Sequence, residues 1–364
     1  MKIKDICTSV TDGSHNPPLG IEKSEYMMLS SKNIFDDEIT FDEPRFLTER
    51  DFEKEHRRTK IAVGDVLFTI VGTVGRIAVV DEDMSTFALQ RSVAVLHPKN
   101  DVCLPRFLMY ALRGKRTYIE NRAKGVAQKG IYLKEVSDID IHIPDISNQE
   151  IIINKLDKVN AIIKLRQKEL LVLDNFIKAR FVEMFGLVRN NVYGYKIKML
   201  QDVCEPIKDG THQTPTYVND AQHGFKFLSS KDVTSGKINW SKIKYIPSDL
   251  HEELYAKIKP KRGDILLAKN GTTGVAAVVE TDEIFDIYVS LALLRPIDMN
   301  SIYLWAAVNS ADTKHQFDSS LKGIGVPNLH LGEIKKTKII VPPLELQNQF
   351  ADFVHQVDKS KVVA

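Results

Sequence analysis

Three cysteines in 364 residues are too few, and odd in number, for a disulfide framework, and they point to a reducing compartment. No stretch approaches the 18 apolar residues that a membrane-spanning helix needs. The N-terminal Met1-Lys-Ile-Lys-Asp5 lacks the apolar region of a signal peptide. A cytoplasmic protein without a membrane partner is therefore expected. Excess charge of one sign is missing too: 50 Lys and Arg against 48 Asp and Glu leave a net +2. Residues 1–146 carry 21 basic and 23 acidic side chains, and residues 187–364 carry 22 and 20. Bulk charge therefore gives no argument for nucleic-acid binding. A protein that reads base edges while a partner holds the phosphates would still fit this balance.

The motifs of common catalysts are absent as well. There is no Gly-x4-Gly-Lys-Ser/Thr phosphate loop, so no nucleotide motor is expected. Neither His-Glu-x-x-His nor paired Cys-x-x-Cys occurs, so a zinc site has no support. A nuclease carboxylate set is missing: Leu267 stands two residues before Lys269, where an acid would be needed. Asn16-Pro17-Pro18 resembles the Asn-Pro-Pro-aromatic loop with which amino-methyltransferases hold a flipped base. The fourth residue here is Leu19, the later equivalent is Gln213-Thr214-Pro215, and no glycine-rich loop for a methyl donor precedes either.

What is present is a repeat. Asp5-Ile-Cys-Thr-Ser-Val-Thr-Asp-Gly-Ser-His15 returns as Asp202-Val-Cys-Glu-Pro-Ile-Lys-Asp-Gly-Thr-His212. Leu29-Ser-Ser-Lys-Asn-Ile34 returns as Leu228-Ser-Ser-Lys-Asp-Val233. Gly64-Asp-Val-Leu-Phe-Thr-Ile-Val-Gly-Thr-Val-Gly75 returns as Gly263-Asp-Ile-Leu-Leu-Ala-Lys-Asn-Gly-Thr-Thr-Gly274. Ile143-Pro-Asp-Ile-Ser-Asn-Gln149 returns as Val341-Pro-Pro-Leu-Glu-Leu-Gln347. Order and offset, about 197 to 199 residues, are kept. The period is too long for a solenoid. Two whole domains are expected, able to form a pseudo-twofold object suited to a partner with two half-sites, of which duplex DNA is the commonest.

Each copy reads as a compact α+β domain. Strands are expected over 63–71 and 76–80 around the turn Gly72-Thr-Val-Gly75, and over 92–96 before Pro98. Residues 105–115 have helical spacing with Pro105 in the first turn, and the alternation over 138–143 predicts a half-buried strand. Cys7 and Cys204, equivalent in the two copies, read as small apolar core residues. Residues 147–186 then contain no proline, and their only glycine is Gly186. Ser147 and Glu150 form a capping-box pattern. Apolar residues follow at 152, 156, 159, 163, 170, 173, 177 and 184, with Arg166 and Arg180 filling two seam positions. This heptad seam predicts a helix ending at Gly186. About 39 residues at 1.5 Å each give a rod of roughly 58 Å, too long to fold back into either domain and in need of a partner helix. Leu346, Phe350, Val354 and Val357 begin a second such helix, short at 345–364. Under a twofold it runs antiparallel to the first and covers its later half, near Leu170 to Met184. Ile152, Leu156, Val159 and Ile163 would then find no partner within the chain.

Asp12-Gly-Ser-His15 and Asp209-Gly-Thr-His212 have two readings. One is a tight turn, in which Gly permits positive φ and Asp caps local amides. The other is a loop that presents small polar side chains and His to bases or phosphates. The two Gly-Thr-x-Gly turns serve a hairpin or let backbone amides approach a phosphate. Gln90-Arg91 ends a loop with side chains able to bond two base-edge atoms at once, or is a solvated surface pair. The loops Lys124–Gly130 and Lys322–Asn328 match in polarity and place. Candidate DNA contacts are therefore Ser14, His15, Asn16, Thr73, Gln90, Arg91, Lys124, Gln128 and Lys129 in the first copy. In the second they are Thr211, His212, Gln213, Lys269, Asn270, Thr272, Lys322 and Asn328. No catalytic or metal-ligating residue and no cofactor is expected.

These blocks together resemble the specificity (S) subunit of type I restriction–modification enzymes. The residues that carry the likeness are Asp-Gly-Ser/Thr-His, Leu-Ser-Ser-Lys-Asn/Asp, Gly-Asp-Val/Ile-Leu and Gly-Thr-x-Gly, with Gln149 and Gln347 at the helix starts. The resemblance implies two target recognition domains, at 1–146 and 187–344. They would be joined by long conserved helices, at 147–186 and 345–364, forming an antiparallel coiled coil with pseudo-twofold symmetry. Each domain would read half of a split site in double-stranded DNA. The helices would set the gap and dock methyltransferase (M) subunits that bring S-adenosylmethionine. Motor–nuclease (R) subunits with ATP and Mg would join for cleavage, and this chain would perform no chemistry. A rod of roughly 58 Å corresponds to about 17 base pairs. The competing expectations are a stand-alone DNA-modifying enzyme, which would transfer methyl groups alone, and a protein-interaction scaffold, which would leave no footprint on DNA.

Overall fold

The computed structural model describes every residue other than 83, 85, 126–128, 220–223, 234–235, 272, 322–326 and 364. The chain divides into two compact units, Met1–Lys164 and Leu165–Ala364.

In the first unit a four-stranded antiparallel sheet has the order Cys7–Asp12, Val93–Pro98, Val66–Thr69, Ile77–Val79. Val66–Thr69 is central, and all four of its residues are buried. Its first three residues therefore read as an apolar run, because alternate side chains enter different cores, and buried Thr69 follows them with its hydroxyl taking the Arg76 amide at 2.9 Å. Val66 and Phe68 join Ile3, Ile77, Leu96, Phe107 and Leu112 on one face. Leu67 joins Leu29, Ala78, Phe87 and Val95 on the other. The helix Pro105–Gly114 covers the first face with Phe107, Leu108, Met109 and Leu112. A fully buried side chain of this size contributes about 1.5–3 kcal/mol, and both faces of the strand collect that contribution.

A smaller sheet has the order Arg45–Phe46, Met27–Leu29, Phe87–Leu89. Met27–Leu29 and Phe87–Leu89 run parallel, Met27 opposite Phe87 and Leu29 opposite Leu89. A parallel pair needs a long crossover. Here it contains the helix Glu49–Thr59, capped by the Thr48 side chain and closed by Lys60 in the left-handed region at φ +48°.

The second unit repeats this plan. Its larger sheet has the order Lys208–Asp209, Leu291–Leu294, Ile265–Ala268, Ala276–Val278, and its smaller one Lys244–Ile246, Phe225–Leu228, Phe285–Ile287. Phe225–Leu228 again pairs parallel, with Phe285–Ile287. Ser248–Lys257 and Ser301–Val308 take the places of the two helices. One difference lies at the edge. Lys196–Met199 forms a full antiparallel pair with Lys338–Val341. The strand expected over 138–143 is not formed; a single bridge, Lys2 with Asp140, flanked by backbone bonds between Met1 and Ile141 at 2.7 and 2.8 Å, is made before the chain turns into the short helix Ile3–Ile6.

One helix runs from Ile146 to Phe185. Asp145 caps it, accepting from the Asn148 amide at 2.8 Å, so the cap lies two residues before the expected Ser147. Gly186 ends it at φ +71°. Its first turns are not a free rod. Ile152 and Ile153 pack on the first core, and Asp157 takes Arg106 at 2.7 Å and the Tyr110 hydroxyl at 2.5 Å. The expectation that Ile152 is unpartnered is thereby corrected, because the strand-bearing core itself covers it. Leu156, Val159 and Ile163 are 37, 52 and 48% exposed. In the second unit the same helix meets the final helix, Leu344–Val363. Asp174 pairs with Lys361 at 2.7 Å, Phe176 with Phe353, and Phe181 and Phe185 with Phe350. Numbers fall on one helix as they rise on the other, so the two run antiparallel.

Candidate nucleic-acid interface

The first strand of unit one ends at Asp12, which is 7% exposed. A Cβ on the next residue, Gly13, would lie 2.2 Å from the Leu89 carbonyl oxygen. Gly13 therefore exists for close approach, not for the positive φ that a tight turn would use; the same holds for Gly210, whose added Cβ would lie 1.9 Å from the Ile287 oxygen. The approach is locked by the Ser14 amide donating to Leu89 O at 2.7 Å and the Arg91 amide donating to Ser14 O at 2.9 Å. Ser14, His15 and Asn16 are thus brought beside Gln90 and Arg91, residues more than 70 positions away in sequence. In unit two, Thr211 N donates to Ile287 O at 3.2 Å and Val289 N to Thr211 O at 2.9 Å. Tyr288 and Val289 there occupy the places of Gln90 and Arg91, so the second copy has no equivalent of that polar pair.

Asp12 organises the loop. Its Oδ2 lies 2.8 Å from His15 Nε2, and its Oδ1 takes Arg58 Nη2 at 3.0 Å while its carbonyl takes Arg58 Nε at 3.1 Å. A carboxylate only accepts, so His15 Nε2 is the donor of this bond, and in the uncharged tautomer that makes it Nδ1 is left as an acceptor. Asp209 repeats the arrangement with His212 at 3.5 Å and Lys269 Nζ at 2.8 Å. Arg58 carried no signal in the sequence, since no periodicity links a helix end to a strand 46 residues earlier.

A second cluster adjoins the first. The Ser92 carbonyl accepts from the Ile70 amide at 2.9 Å, and Ile131 N donates to Ile70 O at 2.9 Å. The chain then turns through Gly72 and Gly75, both at positive φ. Gly72 N donates to Lys129 O at 2.9 Å, Thr69 Oγ1 donates to Thr73 O, and Lys124 bridges Gly130. Thr73, Lys124 and Lys129 are exposed on this surface. In unit two, Lys269 N donates to Ser290 O at 2.9 Å, Leu329 N to Lys269 O at 2.7 Å, and Asn270 bridges Asn328.

His15, Asn16, Arg91, His212 and Gln213 are exposed; Gln90, Thr211, Asn270 and Asn328 are half-buried; Ser14 is buried. Lys269 is corrected: at 7% exposure and paired with Asp209, its ammonium is already engaged inside the domain. Gln128, Thr272 and Lys322 lie outside the described residues. The Leu-Ser-Ser-Lys blocks are internal ties. Ser31 N and Ser230 N donate to Ser92 Oγ at 3.0 Å and Ser290 Oγ at 2.9 Å. Asn33 and Asp232 accept from the Ser30 and Ser229 amides. Burial pushes the thiols of Cys7, Cys103 and Cys204 up to about 12. Among the described residues no three acids, histidines or cysteines form a metal-holding group, and no helix is long and apolar enough to cross a membrane.

Comparison with known proteins agrees with the repeat. The family described as "Type I restriction modification DNA specificity domain" matches residues 1–175 and 194–362. The MjaVIII type I restriction enzyme specificity subunit of Methanocaldococcus jannaschii is 23% identical over 289 residues, 74% of this chain and 67% of that protein. The EcoBI specificity subunit of Escherichia coli is 27% identical over 160 residues, 43% of this chain and 32% of its own length. In fold, the chain is similar to the S subunit of a type I restriction–modification system from M. genitalium. The TM-score is 0.51 at 13% identity, covering 99% of this chain and 89% of the other.

Proposed function

Because the chain belongs to the type I restriction–modification DNA specificity family, we propose that it reads a bipartite DNA site, one half with each unit. The observation that carries this reading is the duplicated loop cluster. In both units the strand-end aspartate and the close-approach glycine lie at the same sheet end as the positive-φ glycines that follow the central strand, Gly72 and Gly75 in one and Gly271 and Gly274 in the other. Exposed Arg91 has the fork geometry that bonds guanine N7 and O6 together. His15 offers an acceptor nitrogen to an exocyclic amino group. Thr73, Lys124 and Lys129 suit phosphate and sugar contacts, which set register without reading sequence.

The paired helices set the gap between half-sites and dock the methyltransferase subunits. This chain carries no chemistry of its own. S-adenosylmethionine belongs to the methyltransferase subunits, and ATP and Mg to the motor–nuclease subunits. Its place of work is the cytoplasm, where the DNA is. The test is methylation mapping across genomic DNA in a strain expressing this chain with its methyltransferase. Two short specified blocks flanking an unspecified gap are expected. One continuous block, or methylation by this chain alone, would overturn the reading, and a chain that leaves DNA unprotected would favour an interaction scaffold.

A further inference from the structure

Resting on that reading, we infer that Arg58 and Lys269 are positioning residues, each setting the recognition loop of its own unit by neutralising the aspartate at its base. Asp12 and Asp209 stand at equivalent places, and both are nearly enclosed, with side chains 9 and 14% exposed. Both hold the loop histidine, His15 at 2.8 Å and His212 at 3.5 Å. Both are met by one cation, yet the cations come from different parts of the fold. Arg58 arrives from the end of the helix Glu49–Thr59. Lys269 follows the central strand Ile265–Ala268.

The exchange is visible position by position. The residue at the place of Lys269 in the first unit, 199 earlier, is Ile70, which is 4% exposed in the apolar core. The residue at the place of Arg58 in the second unit is Lys257, whose ammonium turns to Glu253 at 2.7 Å. So the cation moves while the pair is kept. A turn that needed only the aspartate's capping oxygen would not require it.

Two physical reasons favour the pair. A lone carboxylate removed from water is unfavourable and would draw the loop outward toward solvent. It would also stand under the surface proposed to face phosphates, and repel them. Lys269, with its side chain 8% exposed, and Arg58, 47% exposed but bonded to both the carboxylate and the carbonyl of Asp12, remove both problems from the base of the loop. Because the carboxylates are enclosed, salt screens these pairs less than phosphate contacts at the surface.

The experiment uses the full chain with its methyltransferase and reads the methylated motif half by half, with thermal melting of each purified variant alongside. Arg58→Ala is expected to relax the half-site read by the first unit by about tenfold, the weight of a single base contact, and to leave the other half intact. Lys269→Met is expected to do the reverse. Ile70→Lys added to Arg58→Ala transplants the second unit's solution and is expected to restore the first half-site. Should Arg58→Ala melt early, Arg58→Lys keeps the charge, loses the bond to Asp12 O, and is expected to show a smaller relaxation confined to the same half. Equal weakening of both halves in a variant that melts normally, or no change in either, overturns the inference. An unsplit motif from the unmodified chain overturns the proposed function instead.

Discussion

Gln149 reaches from the start of the long helix to the backbone of Leu104, accepting its amide at 2.8 Å, while its own amide donates to Val102 O and Pro144 O, each at 2.8 Å. It is fully buried. Gln347 does the same in the second unit, accepting from Asn300 N at 3.0 Å and donating to Pro342 O at 2.8 Å. Each glutamine thus joins a helix start to the turn that precedes another helix. Gln149→Leu leaves a buried amide and carbonyls without partners, a loss of roughly 1–3 kcal/mol per group. Urea unfolding should show a lower midpoint for this variant. An unchanged midpoint would mean that water replaces the glutamine.

Gly13→Ala and Gly210→Ala place a methyl group against a backbone oxygen at 2.2 and 1.9 Å. A backbone atom cannot swing aside as a side chain can. Each variant is expected to be destabilised at the upper end of ordinary point substitutions, about 4 kcal/mol, and to misplace the recognition loop of its own unit. Thermal melting with DNA footprinting checks both. A normal melt with an intact footprint would show that the strands can separate locally.

Arg91→Ala should relax or abolish one half-site and leave the other readable, since Arg91 is exposed and has no charged equivalent in the second unit. The loss expected at the base it reads is about 1–3 kcal/mol. Competition binding with sites altered in one half at a time measures this, and equal loss at both halves would refute the assignment.

The three thiols, raised to about 12 by burial with a smaller push on Cys7 from Cys103, are thiolate at only about one part in ten thousand at pH 8. Alkylation of the native chain should be very slow, and unfolding in denaturant should release three reactive thiols. Rapid labelling of one thiol in the native state would show that its segment opens readily.

Asp138 is held at about 2 by hydrogen bonds from Lys4 and Lys2, at 2.9 and 3.0 Å. Its pKa lies below the unfolded value, so its stabilising contribution is present above about pH 3.9 and is lost as pH falls toward 2. Asp138→Asn should flatten the melting temperature against pH across that window. Because Asp138 is half-buried at the surface and its lysine partners are exposed, added salt should narrow the difference between the two proteins. Parallel profiles for the two proteins would rule the contribution out.

The repeat was legible because residues with fixed local duties recur. Asn33 and Asp232 tie back to Ser30 and Ser229, and Gly72, Gly75, Gly271 and Gly274 each take positive φ. The helix Ile146–Phe185 was legible from a period sustained without proline. What escaped the sequence depends on contacts between distant segments. Arg58 meets Asp12 only once a helix has docked. Lys269 looked like a free cation because nothing local announces its burial. The strand over 138–143 failed because alternation gives a strand its faces but not its neighbour: residues 3–6 coil into a helix and leave one bridge, at Lys2. Ser147 lost the cap to Asp145 because both fit the local pattern, and the packing of Gln149 decides which turn comes first.

The parallel pairing of Met27–Leu29 with Phe87–Leu89 has a kinetic meaning. Its partners are separated by some 60 residues, and closing so long a loop carries an entropic penalty before any contact rewards it. Local hairpins and helices are free to form before these strands meet. Yet Ser14 hangs on Leu89, and Gln90 hangs on Leu29. The first unit's surface proposed to read DNA is therefore expected to be among the last of its parts to assemble during refolding, and an early intermediate would be structured but blind.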